Sequence, residues 1–192
     1  MKPAIALTLG EPAGIGPEVA FLALKQFKRR YKNIDVRLLG DSSLGQPGCP
    51  SKKTARSALQ ALQESARLAK SGEVRAIVNA PVSKEWLQKV GFKFPGQTEF
   101  YANAFGLKNE GVTMLMASSK ITIALVTTHC SLLAAVRRVT VDRIIVAAER
   151  LRSFLVLRGK HSPRIAIAGL NPHAGEAGAF GSEEIKTITP AV

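Results

Sequence analysis

The turn Gly10-Glu11-Pro12-Ala13-Gly14-Ile15-Gly16-Pro17-Glu18 follows an apolar run, residues 4–9, and leads into a helical segment that extends to about Arg29. The run predicts a buried strand. Pro17 suits the first helical position, and Glu18 the first turn. Such a turn is either a tight connection or a place where backbone N–H groups approach an anion, and both interpretations stay open. It is not a Walker A loop, because the Gly-Lys-Ser/Thr ending is absent. It is not a GxGxxG fingerprint either, because Val19 stands where the third glycine would be.

Strands and helices alternate along the rest of the chain. Apolar runs predict further strands over 36–39, 76–80, 112–117, 121–126 and 165–168. Helices are predicted between them: one capped by Thr54 and stopped by Gly72, a short one from Ser83 to Gly91, one over 141–157, and one that begins at Ser182. The alternation predicts an α/β fold with a largely parallel sheet and one antiparallel pair, strands 112–117 and 121–126. Polar turns after strands should meet at one sheet edge; they start at Gly10, Pro81, Thr127 and Asn171.

The composition is that of a globular protein of a reducing compartment. The chain has 192 residues, of which 46% are hydrophobic, and it contains no apolar run of the roughly 18–20 residues that a membrane span needs. The apolar stretch after Met1 is too short for a signal peptide, so a cytoplasmic location is expected. Cys49 and Cys130 form no CxxC pair, and Cys130 is expected to be a small buried residue.

The net charge of +13 raises the question of nucleic acid. The densest basic patch, residues 25–32, falls at the end of the first predicted helix, where the helix dipole favours cations. No aromatic residues alternate with these cations to stack bases. Nucleic-acid binding is therefore not expected, and an anionic small substrate accounts for part of the charge.

Two segments have polar residues suited to an anionic ligand. Lys84 falls in the first turn of a short helix, where a cation is unfavourable without an anionic partner, although a solvated lysine is an equally simple explanation. In Gln97-Thr98-Glu99, the Thr98 hydroxyl could donate to a phosphate or carboxylate. The alternative is that this segment only begins a helix, with Glu99 in its first turn.

Two of the three histidines directly follow predicted strands. His129 and His173 would then lie at equivalent strand ends, where two imidazoles can share a divalent metal ion. Glu176 is a candidate carboxylate partner of such a site. Two ligands are fewer than the three protein ligands of a catalytic zinc. His161 lies in a polar loop and is expected at the surface.

These segments, in this order, resemble the 4-hydroxythreonine-4-phosphate dehydrogenase family of vitamin B6 synthesis. The motifs that match are the Gly10–Glu18 turn and Asn171-Pro172-His173-Ala174-Gly175-Glu176. The resemblance implies a three-layer α/β/α fold with a mixed sheet, similar to isocitrate and isopropylmalate dehydrogenases. It implies oxidation by NAD with loss of carbon dioxide, a divalent metal (zinc, magnesium or cobalt) and a homodimer. It places His129 and His173 on two of three metal-binding histidines and Thr98 on a substrate-binding threonine.

Three departures from the family pattern limit what the resemblance implies. Gln97 stands where the family has histidine, and an amide cannot carry a positive charge or transfer a proton. The segment 41–53 is shorter than usual, and residues 1–192 correspond to the N-terminal portion of a two-subdomain enzyme whose boundary the sequence does not locate. No catalytic or NAD-binding residue is assigned. The alternatives are a relative that oxidises threonate or erythronate phosphate or a dihydrodiol, and a shortened, inactive homologue that binds a metal or an anion.

Overall fold

A computed structural model describes residues 4–107 and 111–192 of the chain. These residues form two compact units, Met1–Asn109 and Glu110–Val192, and each is described by itself. Met1, Lys2 and Pro3, on which the expectation of no signal peptide partly depends, lie outside the described residues. No helix in the described part of the chain is long and apolar enough to cross a membrane.

The first unit is built on a three-stranded sheet in the order β2-β1-β3, and its strands are parallel, as predicted. Strand β1 is Ala4–Thr8, β2 is Asp35–Leu39 and β3 is Ala76–Asn79. Helix α1, Gly16–Arg30, connects β1 to β2 and has Pro17 in its first turn. The last turn of α1 contains Lys28, Arg29 and Arg30, which confirms that the basic patch lies at a helix C-terminus.

Helix α2, Lys52–Lys70, connects β2 to β3 and begins earlier than predicted. Its N-cap is Ser51, whose side chain accepts a hydrogen bond from the Thr54 backbone, while the Thr54 hydroxyl accepts one from the Ser51 backbone. Thr54 is thus the third helical residue of a capping box, and its prediction as the cap was wrong. Gly72, in the left-handed region at φ 74°, follows the helix end as expected.

Two short helices complete the first unit: α3, Lys84–Gln88, and α4, Gln97–Ala104. They pack on α2 through one apolar cluster of buried side chains: Ala58, Leu62, Ala66, Leu87, Phe92 and Phe100. Because Phe92, Phe94 and Phe100 contact each other at centroid distances of 5.4–5.7 Å, the start of α4 is held in a fixed position.

The second unit contains the predicted antiparallel hairpin, with β4 at Met114–Ala117 and β5 at Thr122–Leu125. Helix α6, Val141–Leu157, agrees with the prediction and buries Ile144, Ala147, Leu151 and Leu155. Helix α5, Leu132–Arg138, which is capped by Ser131, was not predicted from the sequence. Its first two residues, Leu132 and Leu133, are exposed, so the helix has no buried apolar face of the kind from which the other helices were predicted.

One prediction near the end of the second unit needs correction. Residues 165–168 form no strand: their exposure alternates, but no described strand pairs with them. An apolar run shows that a segment could be a buried strand, but a strand also needs a neighbouring strand with which to form hydrogen bonds, and the run does not show one. The helix predicted from Ser182 is present: it begins at Glu183, contains a π-helical turn at Glu184–Ile188 and ends in the short α7, Thr189–Ala191.

Candidate functional site

The glycine-rich turn after β1 is shaped by contact with the backbone after β3. Gly10 adopts φ 71°, and a Cβ atom there would lie 2.1 Å from the Pro81 carbonyl oxygen. A Cβ on Gly16 would lie 2.3 Å from the Leu9 carbonyl oxygen. The Glu11 N–H donates to the Pro81 carbonyl oxygen over 2.9 Å. These contacts account for both glycines and favour the tight-connection interpretation of the turn.

Glu11 is the one acidic residue among the described buried residues of this turn. It is only 5% exposed, and its Oε1 accepts a hydrogen bond of 3.2 Å from the Ala13 N–H. Its Oε2 is buried and has no hydrogen-bond partner among the described residues. No sequence signal indicated this burial, because glutamate in a glycine-rich turn is usually exposed.

A hydrogen-bond network crosses the carboxyl ends of β1 and β3. The Thr8 hydroxyl donates to Asn79 Oδ1 over 3.0 Å, and the Tyr101 hydroxyl donates to the same oxygen over 2.8 Å. The Ser65 hydroxyl oxygen lies 2.8 Å from that of Tyr101 and donates to the Leu62 carbonyl oxygen. Burial raises the pKa of the Tyr101 hydroxyl, so it remains a donor at neutral pH. The network joins β1, β3, α2 and α4.

Gln97 and Thr98 are the first two residues of α4, which follows the N-cap Gly96. Both are half-buried, and Glu99 completes the first turn as the alternative interpretation expected. Thr98 and Tyr101 are three positions apart and therefore share one face of the helix. The candidate substrate residues thus lie one helical turn from the network at the strand ends.

Lys84 lies at the start of α3, just after the carboxyl end of β3. Its side chain is exposed, and no described acidic residue forms an ion pair with it. This position suits both interpretations of Lys84, a solvated cation and a ligand contact, and as a ligand contact it would favour an anion.

In the second unit, His173 is paired with Glu176. Its Nδ1 lies 2.7 Å from Glu176 Oε1, and its ring lies 5.3 Å, centroid to centroid, from that of Phe180. The side chain of His173 is 62% exposed. Because the carboxylate occupies Nδ1, Nε2 is the nitrogen available to a ligand. Metal-binding histidines commonly have this arrangement.

The loop around His173 has an unusual backbone. Residues 174–178 all have positive φ, including the non-glycine residues Ala174, Glu176 and Ala177 at 47°, 39° and 54°. Asn171 Oδ1 accepts a hydrogen bond of 2.9 Å from the His173 N–H, and Glu184 Oε1 accepts one of 2.8 Å from the Leu170 N–H. Such strain persists only where surrounding contacts fix it, which is common at functional sites.

His129 follows β5 by four residues, and it also has a left-handed backbone, at φ 53°. It is exposed, as is His161, whose surface position was expected. Cys130 is half-buried rather than buried, and both cysteines are free. Within residues 4–107 and 111–192, no three His, Cys, Asp or Glu residues are grouped so that they could hold a metal ion. His173 has the environment of a ligand, but a complete donor set is not present in this part of the chain.

Comparison with known proteins extends these observations. A family model described as "Pyridoxal phosphate biosynthetic protein PdxA" matches residues 11–192. The chain is 35% identical to a 4-hydroxythreonine-4-phosphate dehydrogenase of Zymomonas mobilis, covering all of this chain and 68% of that protein. It is 31% identical to a D-threonate 4-phosphate dehydrogenase of Pectobacterium atrosepticum, covering all of this chain and 71% of that protein.

The solved structure of a 4-hydroxythreonine-4-phosphate dehydrogenase from Klebsiella pneumoniae aligns with a TM-score of 0.79 at 29% identity, covering 99% of this chain and 70% of that one. This likeness confirms the predicted α/β fold class. The chain spans about two thirds of the length of these relatives. The match to the Zymomonas protein also extends over 232 aligned positions against 192 residues here, so about 40 positions of the relative have no counterpart. That the shortening includes segment 41–53 stays a prediction.

Proposed function

The chain belongs to the PdxA family of pyridoxal phosphate biosynthetic proteins, and from that premise we propose that it acts in the NAD-dependent oxidation of 4-phosphohydroxy-L-threonine. The observation that carries the proposal is the family match over residues 11–192, since relatives that cover the whole chain are named dehydrogenases of this substrate. In the proposed reaction, hydride passes from the carbon that bears the hydroxyl group to NAD, the hydroxyl proton is released, and the keto acid loses carbon dioxide.

The residues of this chain would contribute mainly binding. Thr98, in the first turn of α4, can donate its hydroxyl proton to a carboxylate or phosphate oxygen of the substrate. Gln97 beside it can donate an amide hydrogen bond but cannot move a proton. The net charge of +13 attracts an anionic substrate. These roles are supported by the family resemblance and by the position of both residues near the carboxyl ends of the strands.

His129 and His173 are the residues that would hold a divalent metal ion. The pairing of His173 Nδ1 with Glu176 supports this role, because it leaves Nε2 exposed and fixes the ring. A bound divalent ion would polarise the substrate hydroxyl and stabilise negative charge on oxygen. Further ligands must come from outside the described residues, since no group of three candidates exists among them. By the same family relation we expect the protein to be cytoplasmic and to form a homodimer. Light scattering after gel filtration would test the dimer.

The test is NADH formation, followed by absorbance, with 4-phosphohydroxy-L-threonine in the presence and absence of zinc, magnesium or cobalt. We expect metal-dependent NADH formation that chelation abolishes and His173→Ala strongly reduces. Absence of NADH with every metal would overturn the proposal. If the substrate still binds without turnover, the protein is a binding homologue of the enzyme.

A second candidate substrate is D-threonate 4-phosphate, which a relative from Pectobacterium is named for. Gln97 supports this candidate, because it replaces the histidine of the family pattern and so removes a possible cation or proton donor from the substrate site. The two substrates are compared by kcat/KM in the natural protein and in Gln97→His. A preference for the threonate that the histidine variant reverses would establish Gln97 as the specificity residue.

A further inference from the structure

Asn79, at the carboxyl end of β3, is held in one orientation by its neighbours. Its Oδ1 accepts hydrogen bonds from the hydroxyl groups of Thr8 and Tyr101, at 3.0 and 2.8 Å. No described residue accepts a hydrogen bond from its amide nitrogen. The two donors therefore fix which end of the amide faces inward, and the –NH₂ group faces away from them.

A purely structural role explains only half of this arrangement. Thr8 and Ser65 are 1% and 0% exposed, so their hydroxyl groups need partners, and the network supplies them. The oxygen of Asn79 is sufficient for that purpose. Its two amide hydrogens add nothing to the network, and an aspartate would accept from Thr8 and Tyr101 equally well.

The surroundings of Asn79 suit an anionic oxygen. Lys84 follows a few residues later and forms no ion pair with a described acidic residue. Tyr101, which contacts Asn79, lies one helical turn after Thr98 on the same face of α4. Ligands of parallel α/β sheets bind at the carboxyl ends of strands, where Asn79 lies.

We propose that Asn79 binds the substrate through its amide, which donates a hydrogen bond to a carboxylate or phosphate oxygen. Thr8 and Tyr101 are positioning residues that keep the –NH₂ group directed toward the ligand. The inference rests on the proposed function, because it names a further contact with the same anionic substrate.

The decisive variant is Asn79→Asp, which keeps the shape and the acceptor for both hydroxyl groups but replaces the donor with a negative oxygen. Binding of 4-phosphohydroxy-L-threonine to the natural protein and its variants is measured by calorimetry, together with thermal stability and, where turnover occurs, KM and kcat separately. A hydrogen bond to a charged group is worth roughly 1.5–3 kcal/mol, which corresponds to about 10–150-fold in affinity. We expect a loss of at least about 10-fold in affinity, expressed in KM more than in kcat, with little change in melting temperature.

Two further variants separate the causes. Asn103→Asp makes the same charge change at an exposed position of α4, and it should leave affinity within about twofold. Tyr101→Phe removes one of the two donors that orient Asn79, and we expect an intermediate loss of affinity. Repeating the titration with 4-hydroxy-L-threonine, which lacks the phosphate, identifies the contacted group: a loss that persists indicates the carboxylate, and a loss that disappears indicates the phosphate.

If the natural protein binds substrate and Asn79→Asp binds it with the same affinity, this inference is overturned and the proposed function is left intact. Equal losses in Asn79→Asp and Asn103→Asp also overturn it, because they show a general charge effect. A natural protein that binds neither ligand contradicts the proposed function and this inference together.

Discussion

Replacing Gly10 with alanine tests whether backbone packing shapes the turn after β1. Two separate costs are expected. The residue has φ 71°, a conformation that costs an ordinary residue roughly 1–2 kcal/mol. The new Cβ would also lie 2.1 Å from the Pro81 carbonyl oxygen, so the two backbone segments must move apart. Overpacking of this kind costs about 1–3 kcal/mol.

The expected loss is therefore about 2–5 kcal/mol, a large part of the roughly 5–15 kcal/mol by which domains are typically stable. Two matched glycines separate the contributions. Gly48 has φ 79° and open space where a Cβ atom would lie, so Gly48→Ala carries only the backbone cost. Gly16 has no left-handed backbone, but its Cβ would lie 2.3 Å from the Leu9 carbonyl oxygen, so Gly16→Ala carries only the steric cost.

Urea unfolding followed by tryptophan fluorescence is the suitable assay. Trp86 is the only tryptophan in the chain and lies in α3, within the same unit as all three glycines, so its signal reports the unfolding of that unit. We expect Gly10→Ala to be the least stable variant and Gly48→Ala the most stable. If Gly10→Ala is no less stable than Gly48→Ala, the contact with Pro81 is not what requires glycine, and a ligand-binding role for the turn regains support.

Three further predictions test other features. Ser51→Ala removes the cap of α2 and should cost about 0.5–2 kcal/mol in urea unfolding, whereas the exposed Ser43→Ala should be close to neutral. Hydrogen bonds, the largest from Arg37, lower the pKa of Glu73 from 4.5 to about 2, so its stabilising effect is complete above pH 4.5 and is lost as the pH falls toward 2. The stability difference between the natural protein and Glu73→Gln should shrink over that range, and a constant difference would contradict the assignment. Glu176→Gln should weaken zinc binding, measured by competition with a chelating dye, about 10–100-fold if His173 is a ligand; unchanged affinity would show that the carboxylate does not support the metal.

The first unit was predictable because its signals are local. The apolar run before Gly10, Pro17 after the turn and Gly72 after α2 each act within a few residues, and the parallel sheet follows from the alternation of elements. The cap of α2 was misplaced because both Ser51 and Thr54 are residues that favour N-caps. Only the three-dimensional arrangement shows that they belong to one reciprocal pair.

The features that escaped prediction depend on distant contacts. Asn79 and Tyr101 are 22 positions apart, and Thr8 and Asn79 are 71 apart, so no sequence pattern reveals their shared hydrogen-bond network. Glu11 is buried in a turn whose backbone is bonded to Pro81, 70 positions later in the chain. Thr98, His129 and His173 were candidates from their residue types and positions, the family resemblance gave them specific roles and singled out Gln97, and these roles stay predictions. The family itself and the α/β class were correctly inferred from the motifs.

The apolar segment 165–168 has a practical consequence for handling the protein. Its four residues are all apolar and have no ladder partner in the described part of the chain, so their backbone groups can pair with another chain, which promotes aggregation. The net charge of +13 opposes this by mutual repulsion between molecules, and dissolved ions screen that repulsion. The protein should therefore remain free of aggregates longest at low ionic strength, and its solutions should become turbid as salt is added.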